Sequence, residues 1–228
     1  NGGQRDPASE PPPRGSPRAP DVTGGSGTRL VLASGSRVRA DMLRAAGLDI
    51  TVDPADVDEP KIEADCRRDG MATPDVALAL AAAKAALVAS RHPGALVIGA
   101  DQMLDVDGAS LRKPEDLAAA ARTLERLAGR DHTLISAVVL ARDGDVIWRH
   151  HAVARLTMRS LDAAAIADYL ARAGDGVLTS VGAYQLEGLG AQLFERIEGD
   201  YFTILGLPLL ALLGELRRRG DGAAGLLD

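Results

Sequence analysis

Arg29-Leu-Val-Leu-Ala-Ser-Gly-Ser-Arg-Val-Arg39 passes from an apolar run, through small and hydroxyl residues, into a stretch with helical spacing. Residues 29–33 read as a short strand and Ser34-Gly-Ser36 as a turn. Residues 38–46 read as a helix, with Met42 and Leu43 facing inward and Gly47 as the stop. A strand that feeds a helix through a short loop is the building unit of an α/β fold. It also places backbone N–H groups, a helix N-terminus and Arg39 where they could converge on one anion. Phosphate is the natural ligand of such a loop, although an ordinary Ser-capped turn has the same composition.

The alternation continues downstream. Residues 49–52 read as a second strand and lead into the acidic stretch 53–59, which has neither period and reads as loop. Thr73-Pro-Asp75 opens a helix running to about Ser90, with Thr73 as cap and Pro74 in the first turn, where its missing N–H costs nothing. Ala95-Leu-Val-Ile-Gly-Ala100 reads as a buried central strand ending at Asp101, and residues 103–106 as a strand leading to the turn Asp107-Gly108. Residues 114–128 read as an amphipathic helix closed by Gly129. Residues 132–141 and 146–158 read as an antiparallel pair joined through Asp143-Gly144. A helix at 161–173, an irregular Gly-rich segment at 180–199 with a short strand near 192–195, and a closing helix at 208–219 complete the pattern. The sum is an α/β fold, a mixed sheet flanked by helices, with no internal repeat.

At 228 residues, 46% of them hydrophobic, the chain can build one large domain or two small lobes around a cleft. Residues 1–28, dominated by Pro, Gly, Ser and Arg, have little to bury and read as a disordered leader; 220–228 reads as a loose tail, leaving 29–219 as the working domain. A net charge of −6 argues against a general nucleic-acid binder, so any bound phosphate must be met by local positive charge. Cys66 is the only cysteine, which excludes an intrachain disulfide and a zinc-type ligand cluster and suits a reducing, cytoplasmic setting. No apolar run reaches the roughly 18 to 20 residues of a membrane helix, so no membrane association is expected.

Carboxylates that meet at a cleft can hold a magnesium ion and orient water for phosphate hydrolysis. Asp101, directly after Leu-Val-Ile-Gly-Ala, is placed where strand ends form ligand crevices. Glu59, at the end of the acidic loop, is by itself as readily a solvated surface acid. Lys84, in a run of Ala and Leu, either snorkels outward or points into a cleft, and snorkelling is the usual outcome. Lys113, before Pro114, could reach a phosphate or stay solvated. His92, His132, His150 and His151 show no ligand spacing and read as structural or surface residues.

Taken together, Leu32-Ala-Ser-Gly-Ser-x-x-Arg39, Val57-Asp-Glu59, Leu80-Ala-x-x-Lys84-Ala85, Ile98-Gly-Ala-Asp101-Gln102, Lys113-Pro114 and Gly206-Leu-Pro208 resemble the Maf family in order and spacing across 29–219. The resemblance implies a fold related to the inosine-triphosphate pyrophosphatases, with two lobes around a long cleft, a divalent metal (Mg or Mn) and often a homodimer. It implies hydrolysis of a nucleoside triphosphate to monophosphate and pyrophosphate. Carried over by position, Asp101 is the expected base or water-orienting carboxylate, and Glu59 assists it in holding metal. Arg39, Lys84 and Lys113 hold the triphosphate and offset charge in the transition state, and Ser34 and Ser36 contact the first phosphate.

The family's usual Ser-Pro-Arg-Arg is altered here, with Arg37 in place of Pro and Val38 in place of the first Arg. The positions that set base choice in the family read Val38, Gln102 and Glu187, where a thymidine- and uridine-triphosphate enzyme would show Arg, Thr and Gln. This combination resembles the 7-methyl-GTP branch. Glu187 can accept from a guanine N1–H and exocyclic amine, and its charge suits a 7-methylated purine. Two other readings are a nucleotide-binding regulator of septum formation and cell division, and a house-cleaning pyrophosphatase of the dTTP/UTP type or of the ITP type that clears deaminated purines, which differs only in its base pocket.

Overall fold

In the computed structural model, which describes residues 28–221, the opening unit is β1 (Leu30–Leu32) followed by α1 (Arg37–Ala45). The Ser36 side chain caps α1 by accepting from the Arg39 backbone N–H. β2 (Ile50–Val52) lies parallel to β1, and β1 lies parallel to β3 (Leu96–Val106). From there the sheet is antiparallel: β3 pairs with β4 (Ala109–Leu111) and with β5 (Asp131–Arg142). β5 pairs with β6 (Asp145–Met158), and β6 with β7 (Phe194–Glu198). The order is β2-β1-β3-β5-β6-β7, and β4, paired with β3 off this path, makes it a seven-stranded mixed sheet.

Three apolar clusters build two lobes on this sheet. In the first lobe α3 (Thr73–Ala89) packs Val76, Ala77, Ala81 and Ala85 against Val31, Val97 and Val139 on one face. On the other face α1 and α7 (Leu209–Arg219) cover Leu32, Ile98 and Leu140. The second lobe gathers the far parts of β3, β5 and β6, through Leu104, Leu134 and Leu156, under α4 (Leu117–Leu127) and α5 (Ala163–Ala173). Among the described residues no helix is long and apolar enough to cross a membrane.

Several elements differ from the sequence reading, each for a local reason. Glu59 does not end a loop; it opens α2 (Glu59–Arg68), whose N-terminus is capped by Asp58 through a 3.0 Å bond from the Lys61 N–H, with Pro60 in the first turn. Thr73 is not the cap of α3, which is Ala72; the Thr73 hydroxyl instead accepts from Arg67 and donates to Asp105. α4 begins three residues later than expected because Asp116, accepting from Ala119 N–H at 2.6 Å, supplies the cap. Residues 189–193 form a 3-10 turn, so the short strand starts at Phe194, and a one-turn α6 (Tyr201–Ile204) follows, capped by Asp200.

Residues 1–27 and 222–228, and with them most of the expected leader and tail, lie outside the described residues. Of the remainder, Gly220 takes the left-handed conformation that ends α7, and Asp221 bonds to Thr28 and Arg142.

Candidate active site

The site is located by a gap along β3. On the edge away from β5, β1 occupies Leu96–Ile98 and β4 occupies Leu104–Val106, and residues 99–103 have no strand partner on that side among the described residues. Asp101 therefore does not sit at a strand end, as the sequence reading had it. β3 continues through it because β5 pairs with every residue from Leu96 to Asp105. The strand that ends is the neighbour β1, so Asp101 still faces a crevice beyond the carboxyl end of a parallel strand. The crevice opens into a cleft of about 1200 Å³ between the lobes.

Successive residues of a strand point to opposite faces, and this sorts the gap. Gly99 and Asp101 face α3. At Gly99 a Cβ would lie 2.2 Å from the Ala81 carbonyl oxygen and 2.7 Å from the Ala85 Cβ, so helix and strand meet at closer range than any side chain allows. That approach brings Lys84, between Ala81 and Ala85, down onto Asp101. Its Nζ lies 2.6 Å from Asp101 Oδ1 and 2.8 Å from Glu59 Oε1. Lys84 does not snorkel; it is buried, as is Asp101, while Glu59 is exposed on the cleft wall. Burial raises the Asp101 carboxyl above the ordinary value, against the lowering effect of Lys84 and then Arg39. A carboxylate so placed is a stronger base than one in water.

Arg39 reaches the gap from α1. Its Nε donates to the Gly206 carbonyl at 2.8 Å, and its Nη1 to Ser34 Oγ at 3.0 Å and to the Ala100 carbonyl at 3.3 Å. The guanidinium thus occupies the edge that β1 vacates and ties the first loop, β3 and the turn before α7 together. Its Nη2 is the remaining fork. Burial lowers its pKa, with Asp101 and Glu59 opposing. Ser34 and Ser36 both line the cleft; the Ser34 hydroxyl also accepts from the Ser36 N–H at 3.3 Å. Lys113 is at the rim. Burial in the wall, then the charges of Arg39 and Lys84, push its ammonium below the usual lysine value. Three cations that oppose one another across a cleft are relieved when a polyanion enters between them.

Of the three base-choice positions, Glu187 is exposed and Val38 half-buried, and both line the cleft. Gln102 lines it too, but faces away from α3. Its amide nitrogen is committed to Ser136 Oγ at 3.1 Å and to the carbonyls of Thr203 and Ile204 at 3.2 and 2.9 Å. Only its Oε1 is left to read a base. The sequence reading missed Gly99, whose signal was a glycine inside an apolar strand, and the Gly206 carbonyl, whose partner lies 167 residues away.

Behind the cleft, His132 is 2% exposed and Tyr184 3% exposed, with Nε2 and the phenol oxygen 2.8 Å apart. Burial depresses the imidazole from 6.5 to about 4. Between these two values the unfolded chain binds a proton that the folded one does not. Stability therefore falls as pH drops from about 6.5 to about 4, by about 3 kcal/mol. Urea melts across that interval should show the loss, and it should shrink in His132→Gln; an equal loss in both proteins would clear His132 of the effect.

A model described as Maf-like protein matches residues 29–219. The chain is 55% identical over 192 residues to the 7-methyl-GTP pyrophosphatase of Mesorhizobium japonicum, covering 84% of this chain and 96% of that protein. It is 53% identical over 190 residues to the protein of the same name from Brucella abortus, covering 83% and 96%. A nucleoside triphosphate pyrophosphatase of Paramagnetospirillum magneticum is 52% identical over 191 residues, covering 84% and 98%. Among solved structures, a nucleoside-triphosphatase, dITP/XTP pyrophosphatase, from Mycobacterium abscessus aligns at 18% identity over 87% of this chain and 100% of that one, with a TM-score of 0.44. With residues 29–219 matched, a span that takes in the strand–loop–helix and both members of the Lys84–Asp101 pair, the chain belongs to the Maf-like protein family.

Proposed function

We propose that this chain hydrolyses a nucleoside triphosphate to the monophosphate and pyrophosphate, with a 7-methylated guanine nucleotide as its preferred substrate. The observation that carries the reaction is the buried Asp101 held by Lys84 at 2.6 Å, at the inner end of a cleft that Arg39 and Lys113 also face. The triphosphate lies along the Ser34–Ser36 loop and the N-terminus of α1, with Arg39 Nη2 and Lys113 on its oxygens. Asp101, one oxygen engaged by Lys84, orients a water and takes its proton as the water attacks the α-phosphorus and pyrophosphate leaves. Lys84 and Arg39, fixed beforehand by their other bonds, meet the charge that develops on the phosphates. No nucleophilic side chain is required.

Glu59 and Asp101 are two hard oxygen donors that share one ammonium, and among the described residues no group of three or more His, Cys, Asp or Glu could form a metal cage. This donor set fits Mg or Mn bound jointly by one or two carboxylates and the substrate's phosphates. Such an ion would supply further charge neutralisation on the triphosphate and acidify bound water.

The base preference rests on Glu187 at the exposed wall of the cleft, a hydrogen-bond acceptor where the base would lie, and on relatives named 7-methyl-GTP pyrophosphatase across the whole domain. Purified protein offered 7-methyl-GTP, GTP, ITP, dTTP and UTP is expected to release pyrophosphate fastest from 7-methyl-GTP; release of orthophosphate would overturn the reaction. Glu187→Gln is expected to reduce the kcat/KM preference for 7-methyl-GTP over UTP by about tenfold, and an unchanged ratio would remove Glu187 as the reader. A regulator that merely senses nucleotide would not need the buried Asp101–Lys84 pair, and the names of the relatives do not favour it.

A further inference from the structure

His132 has no part in the reaction above. It does not line the cleft, yet it is a buried titratable group whose Nδ1 has no hydrogen-bond partner among the described residues. An unpaired nitrogen in the core is unfavourable, and the ring's one side-chain hydrogen bond among those residues is made by its other nitrogen. That nitrogen holds Tyr184, and Tyr184 lines the cleft three residues before Glu187.

The chain around Tyr184 would not hold this shape unaided. Ala183 sits at φ 57°, in the left-handed region that a residue with a Cβ rarely adopts. A Cβ on Gly182 would lie 2.2 Å from the Tyr184 ring. The ring is gripped from two sides, by His132 on the central strand β5 and by Phe194 at the start of β7, edge-on at 4.8 Å. Beyond Tyr184 the backbone closes on itself: the Gly188 N–H donates to the Gln185 carbonyl at 3.2 Å, and a Cβ on Gly190 would lie 2.4 Å from that same oxygen. The segment that carries Glu187 is therefore a short arch, closed on itself and anchored at Tyr184.

We propose that the buried His132–Tyr184 pair is a positioning device for base selection, pinning one end of this arch so that the Glu187 carboxylate meets the base at a fixed place in the cleft. The inference rests on Glu187 as the reader of the base. Neither His132 nor the tyrosine hydroxyl touches the reacting phosphates; both act through Glu187.

Tyr184→Phe deletes the hydrogen bond and keeps the ring. We expect the kcat/KM preference for 7-methyl-GTP over UTP to fall about fivefold to tenfold through KM, with kcat on UTP within about twofold. In the double variant with Glu187→Gln the hydroxyl should no longer matter, so the two losses do not multiply. A folded Tyr184→Phe protein with an unchanged base ratio overturns the proposal, and so do losses that multiply in the double variant. Should Tyr184→Phe fail to fold, His132→Asn breaks the same bond from the other side, and its base ratio decides in the same way. Glu187→Gln alone, measured first, tells a failed reader from a failed tether: an unchanged ratio there removes the reader and the proposal with it.

Discussion

Asp101→Asn is expected to lower turnover about 10³-fold while the protein remains folded, since a positioned general base contributes about 10²- to 10⁴-fold. The amide is nearly isosteric, and its oxygen can still accept from Lys84, whose ammonium also keeps Glu59 at 2.8 Å. What is lost is the charge that takes the proton from water. Binding should survive, because Arg39, Lys113 and the Ser34–Ser36 loop are untouched and one negative charge leaves a site that receives a polyanion. Pyrophosphate release under saturating nucleotide, paired with a thermal melt, checks both halves. Turnover within tenfold of the wild type in a protein that binds normally would show that Asp101 does not handle the water.

The second large effect comes from a residue with no chemistry. Gly99→Ala is expected to destabilise the protein by about 3 kcal/mol or more and to cut turnover of the folded fraction about 100-fold. The new methyl would lie 2.2 Å from a backbone carbonyl of α3, an atom that cannot rotate away, so the helix must back off the sheet. Lys84 rides on that helix, and a shift of about 1 Å breaks the 2.6 Å contact that orients Asp101. Denaturant melts and kinetics on the same preparation measure the two consequences together. Wild-type stability would mean that α3 and β3 can separate without loss.

The central strand and α3 are legible from composition and punctuation: Leu96-Val-Ile98 is apolar on both faces, as a strand covered on both sides must be, and α3 is a long Ala- and Leu-rich run opened by Thr73-Pro-Asp75. α2 is not, because only Cys66 of its ten residues is buried and its start is written in a cap and a proline instead of a pattern. Asp101 was placed at a strand end because an acid after an apolar run reads as punctuation; the pairing with β5 that carries the strand past it involves residues some 36 positions away. The candidate site is legible as an order of motifs, which names Arg39, Glu59, Lys84, Asp101 and Lys113. How each is held is not. The carbonyl that fixes Arg39, the amide of Gln102 turned toward Thr203 and the His132–Tyr184 bond all join distant segments, and no local spacing encodes them.

Two lobes around a cleft suggest a jaw, but β3, β5 and β6 run unbroken through both lobes. They are 11, 12 and 14 residues long, so each spans about 35 to 48 Å. Among the described residues the two lobes share these strands instead of being joined by a linker, so shutting the cleft would mean bending three bonded strands at once. The molecule is thus built as a beam with a notch in it. The continuous strands set the distance between the lobes, and the side chains and short loops that line the notch are the parts outside that shared frame.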